Sequence, residues 1–269
     1  MRVAVIQMVS GAQVQANLAS AASGLAQAAD QGAELALLPE YFCLLGHHET
    51  DKLTLAEPAG KGPLQDFLSQ QARQNRLWIV GGTVPLSADR PGKVFNSTLV
   101  FNPQGERVVR YDKMHLFRFV GPGENYDEGR TLQAGRDSVS FELPSRDGHR
   151  WRVGLSICYD LRFPELFRRQ ASDLLLVPSA FTHTTGQAHW EVLLRARAIE
   201  NLAFVAAAAQ GGRHDNGRRT WGHSMLIDPW GQVLAVRAEG VGVVSAELDA
   251  AELVVRRQQL PALEHRVLP

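Results

Sequence analysis

The sequence has little of several features that would assign it to a specialised class of protein. Two cysteines, Cys43 and Cys158, are too few for a disulfide framework, so we expect a reducing compartment. Charge of either sign is not in excess, because 28 basic residues balance 28 acidic ones, which argues against nucleic acid or an anionic membrane as a partner. No apolar run is long enough to span a bilayer, and the N-terminus lacks the order of a signal peptide. These absences predict a soluble cytoplasmic protein.

The hydrophobic pattern predicts strands and helices that alternate along one α/β domain covering residues 1–269. We predict two sheets covered by helices, with strands and helices at the following positions. The predicted strands are 2–9, 34–39, 77–84, 94–100, 107–111, 138–143, 151–157, 173–178, 203–209 and 241–248, with a further hairpin at 223–236. The predicted helices are 13–31, 63–76, 164–169, 189–201 and 250–259, and residues 118–136, 179–186 and 211–220 are predicted to be loops.

Cys158 lies where a buried strand ends and a helix is predicted to begin at Pro164. Backbone N–H groups are unpaired at such a junction, and the helix dipole favours negative charge there. A cysteine in that position can ionise below its ordinary pKa and act as a nucleophile. The same residue could equally be a small buried hydrophobe, so the assignment depends on the rest of the chain.

Two other ends of predicted strands carry chemically complementary side chains. Glu40 follows the strand 34–39, and its apolar neighbours favour a raised carboxyl pKa in the range of a general base. Lys113 follows the strand 107–111. Ligands of α/β sheets bind beyond strand ends. There a thiolate could attack a carbonyl carbon, an ammonium group could stabilise the resulting oxyanion, and a carboxylate could move the proton.

The residues around these three positions resemble the three signatures of the nitrilase, or carbon–nitrogen hydrolase, superfamily. They are Pro-Glu-Tyr-Phe at 39–42, Tyr-Asp-Lys-Met-His-Leu-Phe at 111–117 and Ile-Cys-Tyr-Asp-Leu-Arg-Phe-Pro-Glu at 157–165. The resemblance implies an αββα sandwich with two mixed sheets flanked by helices, and a Glu40–Lys113–Cys158 triad that needs neither metal nor organic cofactor. It also implies a second glutamate among the catalytic residues, for which Glu128 fits best and Glu124 is the alternative.

The resemblance further implies how a small amide would be hydrolysed. Cys158 would attack the amide carbon while Glu40 takes the thiol proton, and Lys113 with the backbone N–H of Tyr159 would hold the oxyanion. A thioester would remain, to be hydrolysed by water that Glu40 activates.

Segments 188–200, 206–210 and 222–231 most resemble the deaminated glutathione amidases within this superfamily. The implied substrate is the 2-oxo analogue of glutathione, whose γ-amide is cleaved to 2-oxoglutarate and cysteinylglycine. Since this substrate carries two carboxylates, we expect arginine to bind it. The candidates near predicted pocket loops are Arg118, Arg162 and Arg213, while Phe181, Thr184 and Thr185 could line the acyl pocket. The resemblance also implies a homodimer formed through helices that flank the site.

Other functions are compatible with parts of the sequence. Related enzymes would be an ω-amidase acting on 2-oxoglutaramate or an N-carbamoyl amino-acid amidohydrolase. A Cys-His hydrolase could use His115, His183 or His189 as its base. Residues 47–49, His-His-Glu, could suggest a metallohydrolase, but they lack His-Glu-x-x-His spacing. A catalytically silent binding protein on the same fold is the remaining alternative.

Overall fold

The computed structural model describes residues 1–121 and 125–267, together with the backbone of residue 124. Five helices lie in these residues: α1 (Val14–Asp30), α2 (Pro63–Asn75), α3 (Pro164–Gln170), α4 (His183–Asn201) and α5 (Ala250–Gln259). The strands are β1 (Arg2–Gln7), β2 (Leu35–Leu37), β3 (Trp78–Val80), β4 (Val84–Ser87), β5 (Val94–Phe101), β6 (Arg107–Asp112), β7 (Arg118–Gly121), β8 (Glu124–Asp127), β9 (Ser140–Pro144), β10 (Arg150–Leu155), β11 (Leu174–Leu176), β12 (Phe204–Ala207), β13 (Gly211–Arg213), β14 (Arg219–Trp221), β15 (Ser224–Ile227), β16 (Val233–Arg237) and β17 (Gly242–Glu247). Among the described residues, none of the helices combines the length and apolar character needed to cross a membrane.

The strands form two large sheets that are both mixed. One sheet has seven strands in the order β17-β1-β2-β3-β5-β4, with β6 paired to β5, and its parallel strands are β1, β2 and β3. The other has six strands in the order β16-β15-β12-β11-β10-β9, and its parallel strands are β10, β11 and β12. Parallel strands end at the same edge of a sheet, so each sheet presents a row of carboxyl-terminal strand ends.

The alternation of side chains along β1 shows how the layers pack. Val5 belongs to a buried cluster that includes Leu175 of the six-stranded sheet. Its neighbour Ile6 points to the opposite face and belongs to a cluster with Leu25 of α1 and Leu68 of α2. On the other side of the molecule, α4 packs on β12 and β15. The order of layers is therefore helix, sheet, sheet, helix, and the predicted αββα sandwich is confirmed.

One predicted strand is interrupted where the chain passes the end of β2. Residues 77–84 form β3 and the start of β4, which are separated at Gly81 and Gly82. Gly82 has φ +46°, and a Cβ atom there would lie 2.0 Å from the carbonyl oxygen of Pro39. Only glycine fits this approach, which fixes the chain immediately before Glu40.

Other predicted boundaries were wrong because short local signals were missed. Helix α4 begins at His183 and not at residue 189, since the hydroxyl oxygen of Thr182 caps it by accepting from the Thr185 N–H at 3.3 Å. Residues 118–136 are not all loop, because β7 and β8 pair as a hairpin. The predicted loop 211–220 likewise contains β13 and most of β14, which pair with each other.

Candidate active site

Three strand ends bring Glu40, Lys113 and Cys158 together between the sheets. Glu40 follows β2, Lys113 follows β6 and Cys158 follows β10. All three are buried, with exposed fractions of 1%, 1% and 8% respectively. Glu40 and Cys158 line the same cavity, which has about 360 Å³ of empty space. The convergence that the sequence predicted is therefore present in the structure.

The ammonium group of Lys113 lies between two carboxylates. Its Nζ atom is 2.9 Å from Oε1 of Glu40 and 2.8 Å from Oε2 of Glu128. Glu128 is held in turn by the hydroxyl of Tyr41, which donates to Oε1 at 3.0 Å, and by the N–H of Phe117, which donates to Oε2 at 2.7 Å. The lysine consequently has one fixed position, and its charge is compensated without solvent.

Glu40 is oriented by both sheets. Its Oε1 atom accepts from the side-chain amide of Asn96 at 2.9 Å, in addition to the bond from Lys113. Its Oε2 atom accepts from the N–H of Ala180 at 2.9 Å, and Ala180 follows β11 of the other sheet. Both oxygens are thus held while the carboxylate lines the cavity, as a general base requires.

Burial and neighbouring charges set the protonation of Lys113 and Glu128. Burial acts to lower the pKa of the Lys113 ammonium, but the carboxylates of Glu128 and Glu40 outweigh it and hold that pKa well above its usual value. Burial acts to raise the pKa of Glu128, and the adjacent Lys113 charge more than offsets it, so this pKa lies below its usual value. Both groups are therefore charged at neutral pH.

Cys158 has the opposite electrostatic environment from the one that the sequence predicted. Burial, followed by the negative charge of Glu40, raises the pKa of the thiol well above its usual value, and Lys113 offsets this only in part. The expected depression by a helix N-terminus is wrong, because Cys158 begins a five-residue 3₁₀ turn and faces carboxylates. The resting residue is a neutral thiol, which needs a base to become a nucleophile.

The backbone at Cys158 is strained, and its place is fixed by hydrogen bonds. Cys158 has φ +51°, in the left-handed region that residues other than glycine seldom adopt. Its N–H donates to the carbonyl of Pro178 at 2.9 Å. Such a conformation persists only where the surroundings impose it, and it commonly presents a reacting side chain.

Asp160 connects the cysteine turn to the lysine strand. Its Oδ2 atom accepts from the N–H of Ile157 at 2.8 Å and from the hydroxyl of Tyr111 at 2.6 Å. Its Oδ1 atom accepts from the N–H of His115 at 3.0 Å. Ile157 precedes the nucleophile, whereas Tyr111 and His115 flank Lys113, so one fully buried carboxylate holds the two segments together.

The remaining predicted residues fall into two groups. Tyr159, Phe181 and Thr185 line the cavity. Thr184, Arg118 and Arg213 are exposed and do not line it. Arg162 lies behind the wall, with its guanidinium 5.5 Å from the ring centre of Phe181 and 5.8 Å from that of Tyr159. The side chain of Glu124 lies outside the described residues, and Glu128 is the glutamate beside Lys113.

Sequence reasoning missed five cavity residues: Tyr41, Phe117, Ala180, Thr182 and Arg218. Tyr41 and Phe117 are close in sequence to Glu40 and Lys113, which was an available signal. Arg218 lies in the polar segment 211–220 from which Arg213 was chosen, and nothing in the sequence distinguishes the two. They differ because Arg213 is exposed on β13, whereas Arg218 reaches the cavity from the turn before β14.

The alternative catalytic groups do not reach the Cys158 cavity. His115 has its Nδ1 atom 2.7 Å from Oδ1 of Asp160, and its ring stacks on Phe163 at 3.7 Å. Neither His115 nor the two histidines of α4, His183 and His189, lines that cavity. Across residues 1–121 and 125–267, His, Cys, Asp and Glu side chains do not form a group of three arranged to hold a metal ion.

Comparison with known proteins adds independent findings. The family model described as carbon-nitrogen hydrolase matches residues 2–258. Deaminated glutathione amidase of Synechocystis sp. is 43% identical over 98% of this chain and 97% of its own length. The crystal structure of Saccharomyces cerevisiae Nit3, described as a member of branch 10 of the nitrilase superfamily, has a TM-score of 0.86 at 29% identity, with 100% of this chain and 97% of that chain covered. The C. elegans NitFhit protein gives a TM-score of 0.86 at 36% identity over 99% of this chain, which spans 65% of that protein.

Proposed function

The chain belongs to the carbon–nitrogen hydrolase family, and we propose that its catalytic residues are Glu40, Lys113 and Cys158. It is a hydrolase that acts on carbon–nitrogen bonds, with the cysteine amidase chemistry of that family. The observation that carries the residue assignment is the buried Lys113 ammonium, 2.9 Å from Glu40, beside a cavity that Glu40 shares with Cys158. A base and a nucleophile thus share one cavity, and a buried cation is bonded to the base.

The first half of the reaction forms a thioester. Because the Cys158 thiol is neutral at rest, Glu40 takes its proton as sulfur attacks the amide carbon. The carbonyl oxygen becomes an oxyanion that the Lys113 ammonium and the N–H of Tyr159 stabilise, where one such donor is worth roughly 3–4 kcal/mol. Glu40 then gives the proton to the nitrogen, and the C–N bond breaks to release the amine.

The second half hydrolyses the thioester. Water enters where the amine has left, Glu40 removes its proton, and the hydroxide attacks the acyl carbon. The same donors hold the second oxyanion, the C–S bond breaks as Glu40 returns the proton to the Cys158 sulfur, and the acid leaves with the thiol and the Glu40 carboxylate restored. Glu128 does not touch the substrate in this scheme; it fixes and neutralises Lys113, whose Nζ is 2.8 Å from its Oε2.

We propose deaminated glutathione as the substrate, with 2-oxoglutarate and cysteinylglycine as products. The names of the similar amidases support this choice. The cavity supports it as well, because the guanidinium of Arg218 lies in the wall and can bind a substrate carboxylate. Measured rates on this amide, on 2-oxoglutaramate and on N-carbamoyl amino acids would rank the related substrates.

Trapping the thioester tests the mechanism directly. Brief exposure to deaminated glutathione followed by acid quenching should add one 2-oxoglutaryl group to Cys158, detected by intact mass and peptide mapping. Cys158→Ala should lose both adduct and turnover. Cys43→Ala is the matched control and should keep both, since Cys43 does not line the cavity and burial raises the pKa of its thiol to about 12. An adduct on Cys43 alone would refute the proposal.

We also propose one domain over residues 1–269 and a cytoplasmic homodimer without a nucleic acid or membrane partner. The family match over residues 2–258 supports the single domain. Two apolar side chains on the outer face of α4, Val192 and Ile199, are 62% and 46% exposed and support pairing through this helix. Sedimentation of the wild type and of Val192→Glu would test it, with a monomer expected for the variant.

A further inference from the structure

A second chamber adjoins the Cys158 cavity. Tyr41 and Arg218 line both spaces, so these two side chains form the wall between them. The second chamber has about 660 Å³ of empty space, part of which is open to solvent. Its outer side is formed by the exposed residues His47, His48 and Glu49. The chamber is therefore open to solvent on this outer side and is bounded by Tyr41 and Arg218 on the side of the Cys158 cavity.

Among the described residues, two cations, Lys52 and Arg218, and one carboxylate, Glu49, line the chamber. Nζ of Lys52 is 3.0 Å from Oε2 of Glu49, and the guanidinium of Arg218 is 3.7 Å from Oε1 of the same residue. Aromatic rings also contact both cations: Lys52 lies 5.1 Å from the ring centre of Tyr41 and Arg218 lies 5.0 Å from that of Tyr126. Because Glu49 balances only one of these two positive charges, the chamber can attract a second anion.

The two-step reaction decides which part of an amide substrate occupies this chamber. The acyl group stays bonded to Cys158 during the second step, so it must remain in the inner cavity. The amine leaves after the first step and needs an exit to solvent. The outer chamber borders the cavity at Arg218 and has the exposed residue Glu49 on its solvent side, so it is the adjoining space into which the amine part of the substrate can extend.

We infer that the outer chamber is a subsite for a carboxylate on the leaving amine, with Arg218 and Lys52 binding it and Glu49 acting as the counter-ion that it displaces. This inference rests on the proposed amidase function and adds to it a preference for amides whose leaving group is an amino acid or a short peptide with a free carboxyl end.

Equilibrium binding to the Cys158→Ala protein tests the subsite without turnover. The two probes are deaminated glutathione and its analogue in which the glycine carboxyl is a primary amide, so that both keep the same acyl group. Calorimetry should give a Kd for the free carboxylate about tenfold lower than for the blocked analogue, as one charge-assisted hydrogen bond predicts.

Second-site variants identify the groups responsible. Arg218→Gln and Lys52→Met, each added to Cys158→Ala, should weaken binding of the free carboxylate severalfold and leave the blocked analogue nearly unchanged. Glu49→Gln should tighten binding of the free carboxylate. Arg219→Gln is the matched control, because this adjacent arginine is exposed and pairs with Glu239 at 3.0 Å, and both Kd values should stay at the Cys158→Ala level.

Two outcomes would overturn the subsite. One is equal Kd values for the two probes; the other is an equal loss for both probes in Arg218→Gln and Lys52→Met. Failure of the proposed function has a different signature, since the protein with Cys158 would then hydrolyse neither probe and form no acyl adduct. Hydrolysis of both probes with equal KM would leave the amidase assignment standing and remove the subsite alone.

Discussion

The two sheets contribute unlike halves of the proposed active site. The seven-stranded sheet provides the charged groups Glu40 and Lys113, at the ends of β2 and β6. The six-stranded sheet provides a neutral thiol, Cys158, and the N–H of Ala180 that orients Glu40. Neither half could cleave an amide alone, since one lacks a nucleophile and the other lacks a base. Catalysis therefore depends on how the sheets are docked as well as on which residues they carry.

Removing the base from the charged half should have the largest effect. Glu40→Gln keeps the shape of the side chain and should lower kcat by about 10²–10⁴, because Cys158 then keeps its proton. Steady-state rates measure this, and Glu142→Gln, an exposed carboxylate paired with Arg150, is the control that should keep full activity. Full activity in Glu40→Gln together with inactivity in His115→Gln would favour the histidine-base mechanism instead.

Removing the cation from the same half should reduce both rate and stability. Lys113→Met loses an oxyanion donor, which costs about 10²–10³ in kcat. It also leaves Glu40 and Glu128 buried without a cation, which should cost about 3–5 kcal/mol in the free energy of unfolding, measured in urea. The double variant Lys113→Met with Glu128→Gln should regain part of that stability and none of the activity. Unchanged stability in Lys113→Met would mean that the carboxylates are not held as described.

Disturbing the link between the halves should have a smaller effect. Asp160→Asn cannot accept at both terminal atoms, so the turn before Cys158 and the segment around Lys113 should shift relative to each other, lowering kcat by roughly 10-fold with little change in KM. Tyr111→Phe removes one donor and should have a milder effect. A lower Tm with wild-type kcat well below Tm would show that Asp160 only stabilises the fold.

The smallest expected effects are shifts in the pKa of the Cys158 thiol, with opposite signs for two variants. Glu40→Gln removes a negative charge that raises this pKa, so the pKa should fall. Lys113→Met removes a positive charge that lowers it, so the pKa should rise. The pH dependence of iodoacetamide alkylation in a Cys43→Ala background measures both, because the rate increases as the thiolate forms. Shifts of the same sign would contradict the electrostatic account.

The sequence pattern predicted two sheets covered by helices, with Glu40, Lys113 and Cys158 at strand ends, for a simple physical reason, whereas the αββα order and the triad were implied by the family resemblance. Buried strands such as 34–39 and 151–157 show as apolar runs, and Glu40 and Cys158 follow directly at their ends. The apolar run and the residue that follows it are neighbours in the sequence, so a single sequence is enough to identify both. Glu128 was found only by resemblance, since it lies within 118–136, a segment predicted to be loop.

Features that depend on contacts distant in sequence were missed. The raised pKa of Cys158 follows from burial and then from the charge of Glu40, which is more than a hundred positions away in the sequence, so no local pattern reveals it. The wall position of Arg218 arises in the same way, from packing of the turn before β14 against Tyr126. Arginines nearer to the motifs, such as Arg118, were preferred only because sequence proximity was available.

The left-handed backbone at Cys158 restricts which nucleophiles evolution or a designer could place there. Serine differs from cysteine by one atom and has no branch at Cβ, so the strand-end turn would accept it. Threonine, the third hydroxyl or thiol nucleophile that hydrolases use, is β-branched, and a positive φ is a genuine outlier for such residues, at a cost of about 1–3 kcal/mol. The left-handed backbone that presents the Cys158 sulfur to the cavity thus disfavours threonine at this position and leaves serine as the alternative nucleophile.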